Sequence, residues 1–226
     1  MIEVDVLFSS STIGTQILLH GEDGDILIDA GDGVLRDLIS RRYDFSRLKG
    51  ILITHEHIDH FCGLLSLYHF LKQLGYDASL KVVTPSGGGE VSKLLSLSDP
   101  SPKLEIEKAT AGSKISIGSF LIEPFNVDHT CREAVGYTIF DKKGRKIVIS
   151  GDTRACSELE KQLVNAELAI LDATFPSGME QDACLHGHMT EDQALNLARS
   201  ANRTILIHKM DLTYYKKMSC RFGSHK

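Results

Sequence analysis

The chain has 226 residues, enough for one sizeable hydrophobic core and a squeeze for two unrelated domains. Hydrophobic residues make up 42% and charged residues 24%, near ordinary globular values, which excludes wholesale disorder. A formal charge of −5 argues against non-specific nucleic-acid binding, and no apolar run approaches the roughly 18 to 20 residues that span a bilayer.

Strand-like alternation opens the chain at "IEVDVLF" and resumes at "TQILLH" and "DILIDAG", with Gly21 to Gly24 as a hairpin turn. "VLRDLISRR" places Val34, Leu35, Leu38 and Ile39 at the spacing of an amphipathic helix. "KGILITH" predicts a buried strand, and "HFCGLLSLYHFLKQL" a helix packed largely away from water. A strand at "LKVVT", a glycine-rich turn at "PSGGGE" and a short helix through "VSKLLSL" follow. The Ser/Pro stretch "SLSDPSPK" could be a linker, but its brevity favours a surface loop. Beyond it come strands at "LEIEKA", "KISI", "FLIEPFNV", "VGYTIF" and "KIVIS", a helix at "SELEKQLV", a strand at "ELAILDA", a helix at "TEDQALNLARS" and a strand at "TILIH". Two sets of strands, each followed by helices, predict an α/β fold of four layers, an αββα sandwich, as a single domain over residues 1–226.

The N-terminus lacks a basic segment followed by an apolar one, so a protein without a secretion signal or membrane partner is expected. Five cysteines (Cys62, Cys131, Cys156, Cys184 and Cys220) stand singly, and their odd number excludes complete internal pairing. A reducing, cytoplasmic setting fits best. Residues 201–226 carry Arg203, Lys209, Lys216, Lys217, Arg221 and Lys226 against only Asp211. The stretch from about 209 to 226 is read as a basic, solvated tail that could touch phosphates.

The densest chemistry lies in "THEHIDH", where His55 and His57 end a strand and Asp59 and His60 follow as the chain turns into a helix. Four ligand-type side chains so close together cannot all serve one tetrahedral ion, yet they can divide between two. Imidazole and carboxylate suit zinc, and also manganese or iron; no thiolate in the motif pushes toward a closed structural site. The helical H-E-x-x-H arrangement fails, because the position four after His55 is Asp59. Two ions need further ligands, and other strand ends supply them: "FNVDHT" ends at His129, "KIVISGDT" at Asp152, "TILIHK" at His208 and "DILIDAG" at Asp29. His20, His69 and His225 have no ligand-like setting. Cys131, two beyond His129, is read as a buried structural thiol, and Arg154 as either a local ion pair or a phosphate contact.

The H-x-H-x-D-H turn at 55–60, with His129, Asp152, His208 and Asp29, resembles the metallo-β-lactamase superfamily over nearly the whole chain. That resemblance implies the αββα sandwich and two divalent ions, with His55, His57 and His129 on the first, Asp59, His60 and His208 on the second, and Asp152 bridging. Asp29 would orient ligands without touching metal. "SGDTRAC", "LDATF" and "HGHMTEDQALNLA" are similar to the ribonuclease Z branch, which processes the 3′ ends of transfer RNA precursors. There a histidine placed like His188 pairs with an acid placed like Asp172, near the leaving group; His186 is read as a loop residue. A homodimer is implied as well. Three departures are visible. The docking arm of that branch is replaced by about 22 residues between His129 and Asp152, room for a hairpin. The basic loop near the N-terminus becomes "SSSTIGTQ", and "HKMDLTYY" follows the last ligand.

The chemistry implied is hydrolysis of a phosphodiester by a hydroxide that the paired ions activate. Asp59 and Asp152 would orient the hydroxide, and His188 would act as general acid with Asp172 fixing its tautomer. The substrate is then an RNA 3′ end or a smaller diester. A cyclic phosphate or cyclic nucleotide is the alternative, and a non-catalytic binding member of the superfamily a third.

Overall fold

A computed structural model describes residues 2–76, 80–98 and 104–223, with side chains through residue 218. The alternating stretches build two six-stranded sheets. The first runs in the order β1 (Val4–Ser10), β2 (Gly14–Leu19), β3 (Asp25–Ile28), β4 (Leu48–Leu52), β5 (Lys81–Thr84), β6 (Glu105–Lys108). The second contains β7 (Ile115–Ile117), β8 (Phe120–Asn126), β9 (Val135–Phe140), β10 (Lys146–Ile149), β11 (Leu168–Asp172) and β12 (Thr204–Ile207), again side by side in chain order. Each sheet starts antiparallel and becomes parallel, over β3–β6 in the first and β10–β12 in the second.

The period of two decides what each face buries. Ile17, Leu19, Ile26, Ile28 and Leu52 meet Ile122, Tyr137, Ile139, Ile147, Ile149 and Ile170 between the sheets. Their neighbours Leu18, Leu27 and Ile51 point the other way, onto α1 (Val34–Ser40), α2 (Ile58–Phe61), α3 (Leu64–Gln73) and α4 (Gly89–Leu95). Val148, Ala169 and Leu171 likewise pack against Leu159 and Leu163 of α5 (Ser157–Leu163). The result is the four-layer αββα sandwich expected. α6 (Glu180–His186), α7 (Glu191–Leu197) and α8 (Leu212–Gly223) complete the helices, and no described helix is long and apolar enough to cross a membrane.

Three details depart from expectation. The helix predicted over 60–74 is two, broken at Cys62–Gly63. Here the "DAGD" loop crosses so close that Ala30 N donates to His60 O at 2.7 Å and Gly63 N to Ala30 O at 2.9 Å. A Cβ on Gly63 would collide with the carbonyl of Gly31, and one on Gly31 with that of Asp59, so only glycine lets the metal-type turn seat this tightly. His186, read as a loop residue, is instead the last residue of α6, which ends on Gly187 in the left-handed conformation (φ 83°). The stretch read as a solvated basic tail is helical from Leu212: Leu212, Tyr215 and Met218 recur at helical spacing, and the Tyr215 hydroxyl bonds Ser11 O at 3.3 Å and the hydroxyl of Thr12. The loop expected at "SLSDPSPK" and the side chains of Cys220, Arg221, His225 and Lys226 lie wholly or mostly outside the described residues.

Candidate metal centre

Parallel strands deliver their C-terminal ends to one edge, where a crevice forms. β3 brings Asp29, β4 brings His55, β10 brings Asp152, β11 ends in Asp172 and β12 brings His208. The turn after β4 adds His57, Asp59 and His60, and the loop after β8 adds His129. Asp29 and His208 both hold left-handed backbone (φ 55° and 60°), although neither is glycine. Such a conformation costs about 1 to 2 kcal/mol for an L residue and marks places where the surrounding fold dictates a side chain's direction.

All seven ligand-type residues named above converge. His57 Nδ1 lies 3.0 Å from His55 Nε2 and 3.1 Å from His129 Nε2. Asp59 Oδ2 lies 3.5 Å from His208 Nε2 and 3.8 Å from His60 Nε2. One oxygen of Asp152 faces both groups, 3.7 Å from His55, 3.3 Å from His60 and 3.5 Å from His208. Nitrogens bound to one tetrahedral zinc stand about 3.3 Å apart, given Zn–N bonds near 2.05 Å, so the His55–His57–His129 spacing suits a cation. His60 Nε2, His208 Nε2 and Asp152 Oδ1 are buried with no hydrogen-bond partner. Leaving such atoms unmet costs about 1 to 3 kcal/mol each, and a cation satisfies all three. The residues fit a metal.

Their outward nitrogens are held. His60 Nδ1 donates to Asp29 at 2.7 Å, while Asp29 also accepts from Thr54 N at 2.8 Å and Thr54 Oγ1 at 2.9 Å. Thr54 Oγ1 in turn accepts from His55 Nδ1 at 3.1 Å. His129 Nδ1 donates to Gly187 O at 2.8 Å and His208 Nδ1 to Thr174 Oγ1 at 2.9 Å. Four of the five rings thereby present Nε2 inward, and His57 presents Nδ1. Partners of this kind fix ring orientation and ligand basicity. Thr54 and Thr174 carry no sequence signal beyond standing one residue before His55 and two after Asp172; the contacts that give them work are tertiary.

Burial holds His55 well below the usual imidazole range and lowers His57 and His129, so these three stay neutral and able to ligate. Burial would raise Asp59, but the hydrogen bond and charge of His208, with His60, outweigh it and leave the carboxyl low. Asp152 falls well below the usual carboxylate range because His208 and His60 overcome its desolvation. Asp29, by contrast, is raised, chiefly by burial.

Beside this cluster, His188 Nδ1 donates to Asp172 Oδ2 at 2.9 Å. Asp172 also accepts from Thr153 N at 3.1 Å, Thr174 N at 3.0 Å and Thr174 Oγ1 at 2.6 Å. Arg154 forms a local ion pair: Nη1 donates to Asp128 Oδ1 at 2.8 Å and Nε to Cys184 O at 2.6 Å. His186 is exposed and stacks on Phe175, ring centroids 6.0 Å apart. His20 lies 3.3 Å from both Asp5 and Asp25, far along the sheet from the cluster, and His69 is exposed on α3. Cys131 is half-buried rather than buried and belongs to none of the metal-type groups.

The sequence pattern of the beta-lactamase superfamily domain matches residues 25–209, which contain all seven ligand-type residues of the cluster, Asp29 and the His188–Asp172 pair. The chain belongs to the beta-lactamase superfamily. Within that superfamily it is similar to ribonuclease Z of Bradyrhizobium sp. (strain ORS 278), 27% identical over an alignment of 241 positions, with 82% of this chain and 79% of the relative covered. It is also similar to ribonuclease Z of Picrophilus torridus, 28% identical over 232 residues and covering 80% and 75%. Among solved structures, the metallo-beta-lactamase fold protein YhfI of Bacillus subtilis superposes with a TM-score of 0.80 at 19% identity, covering 97% of this chain and 92% of that one. The short form of human tRNase Z superposes with a TM-score of 0.78 at 22% identity, covering 94% of each. The superfamily fold, its ribonuclease Z-like branch and the converged His/Asp clusters make this superfamily member a metal-dependent hydrolase.

Proposed function

We propose that the protein is a phosphodiesterase of the ribonuclease Z type that uses two divalent ions, zinc first among them. His55, His57 and His129 would hold one ion, Asp59, His60 and His208 the other, with Asp152 shared between them. When bound, the ions supply positive charge for a phosphoryl oxygen and activate water for attack. Asp59 and Asp152, ionised as carboxylate ligands of a cation must be, would orient that water.

The observation that carries the phosphodiester reading is the His188–Asp172 pair. The alkoxide leaving a phosphodiester needs a proton, and His188 stands beside the cluster, its ring centroid 5.1 Å from that of His129 and 5.3 Å from that of His208. Burial alone would lower its pKa, but the hydrogen bond and charge of Asp172 raise it above the ordinary value. A histidine whose pKa is raised holds its proton to higher pH and is suited to general-acid work, and such a transfer is worth about 10²- to 10⁴-fold in rate. The relatives named ribonuclease Z support RNA as the substrate. The segment between His129 and Asp152 is only the β9–β10 hairpin, closed by Asp141 accepting from Lys143 N and Arg145 N at 2.9 Å each. That shortness favours, as a second reading, substrates smaller than a folded precursor, cyclic phosphates or cyclic nucleotides included.

Zinc-loaded protein should therefore cleave a short RNA and hydrolyse bis(p-nitrophenyl) phosphate. His188→Ala should slow the RNA reaction about 10²- to 10⁴-fold and the nitrophenyl reaction far less, since p-nitrophenolate leaves without a proton. Equal losses on both substrates would remove His188 as the acid; no turnover of either would remove the phosphodiesterase.

A further inference from the structure

A groove of about 500 Å³ opens beside His129, lined by Pro85 and Lys108–Ala111 together with Asn126–His129 and Cys131–Val135. Its volume falls in the range of small-molecule sites, and a ligand-type histidine stands in its wall. The groove thus borders the cluster at His129, the one ligand-type residue of the cluster in its lining. None of residues 184–188 lines it. The loop carrying His188 holds His129 from elsewhere, through Gly187 O on Nδ1 at 2.8 Å. The two arms of a diester bound at the cluster are accordingly offered different surroundings, an acid at one and this groove at the other.

The charges of the groove are unequal in what they have left to bind. Asp128 is taken by Arg154 at 2.8 Å and Glu133 by Lys108 at 3.4 Å. Arg132 is exposed, lines the groove, and has no ion pair or hydrogen bond among the described residues. It follows His129 by three residues, a backbone span of at most about 10 Å. A guanidinium with all its donors free matches the paired oxygens of a phosphate, and its charge favours that anion over a neutral base or sugar.

Resting on the phosphodiesterase reading above, we infer that this groove takes the arm of a single-stranded RNA that keeps the phosphoryl group after cleavage. Arg132 contacts the next phosphate along that arm. The leaving arm departs on the His188 side, and the groove sets a preference for substrates at least one nucleotide longer than a simple diester.

The test is binding of a fluorescein-labelled six-nucleotide single-stranded RNA to zinc-loaded protein carrying His188→Ala, which suppresses cleavage, read by anisotropy over a series of salt concentrations. Adding Arg132→Ala should weaken binding about 10-fold and flatten the slope of log affinity against log salt by about 0.7, the loss of one phosphate contact on a single strand. Arg132→Lys should fall between, and Lys161→Ala, which removes an equal charge from the outer helix α5, should match the parent. Equal affinity and slope for the Arg132→Ala and Lys161→Ala proteins would overturn the inference, as would a parent that binds no RNA. Turnover of bis(p-nitrophenyl) phosphate by the wild type is followed in parallel. If it persists while Arg132→Ala changes nothing, the groove assignment alone falls. If turnover is absent, the phosphodiesterase reading falls and the anisotropy result still decides the groove.

Discussion

Nδ1 of His188 donates to Oδ2 of Asp172 at 2.9 Å, and Asp172 is itself wholly buried at the end of β11 with three further donors upon it. A carboxylate held so firmly fixes the tautomer of its histidine and stabilises the imidazolium.

The sign of the resulting pH dependence follows from that contact. Burial works to lower His188, and the bond and charge of Asp172 overcome it, so the shift is upward. A raised pKa keeps the imidazolium to higher pH than in a free histidine, and the general acid is lost on the alkaline side. Asp172→Asn removes the charge and leaves burial in command. The alkaline limb of kcat/KM for RNA cleavage should move to lower pH, with kcat down about 10²-fold. An unmoved alkaline limb in the variant would detach the limb from His188.

Metal removal should act on stability as well as on turnover. His60 Nε2, His208 Nε2 and Asp152 Oδ1 are buried and partnerless without a cation. Because each ion bound stabilises the folded chain by RT ln(1 + [L]/Kd), zinc at about 100 times Kd adds roughly 2.7 kcal/mol per site. For a chain of this size that is a rise in Tm of roughly 5 to 10 °C. Chelated protein should melt earlier and turn over nothing, and zinc should restore both at two ions per chain by elemental analysis. A stoichiometry of one would leave the dinuclear arrangement without support.

Much of this was legible from residues alone, for a physical reason. Ligands at strand ends are found by reading where apolar alternation stops, and His55, His129, Asp152 and His208 each stand at such a stop. The strands themselves announce their two faces, as Ile17 and Leu19 do on either side of Leu18. What escaped depends on contacts between distant segments. α6 is only seven residues long and mostly exposed, so it has no apolar stripe to betray it. α8 is hidden by its lysines, and its anchor is a tyrosine reaching the β1–β2 loop 204 residues away. Thr54 and Thr174 matter only because Asp29 and His208 arrive beside them.

Arg154 illustrates the same dependence and yields a prediction. The sequence left it between an ion pair and a phosphate contact, and the structure places it as a clasp. Its Nη1 joins Asp128, next to His129, while its Nε joins Cys184 O, just ahead of His188. Two loops of the cluster and helix α6 are tied at one guanidinium. Arg154→Ala should lower kcat about 10-fold, the effect expected when an outer partner of a metal site is lost, with KM for RNA little changed. Arg154→Lys should recover little, because a single ammonium cannot span both acceptors in the same fixed fork. A rise in KM with kcat intact would instead place Arg154 on the substrate.

The metal-type turn is seated on the "DAGD" loop through backbone contacts. Gly63 donates to Ala30 O at 2.9 Å, and a methyl group there has nowhere to go but into the carbonyl of Gly31, a backbone atom that cannot swing aside. Gly63→Ala therefore forces the α2–α3 junction away from the "DAGD" loop. Overpacking of this kind costs about 2 kcal/mol, or roughly 4 to 8 °C in Tm for a chain of this length. The displacement also moves His60 from Asp29, whose contact of 2.7 Å orients that ring. Zinc affinity should consequently fall, more for the ion on Asp59, His60 and His208 than for the one on His55, His57 and His129. Sequential zinc titration of wild type and variant separates the two: a weaker second site beside an intact first supports this seating, whereas a lower Tm with both affinities unchanged would confine the role of Gly63 to packing.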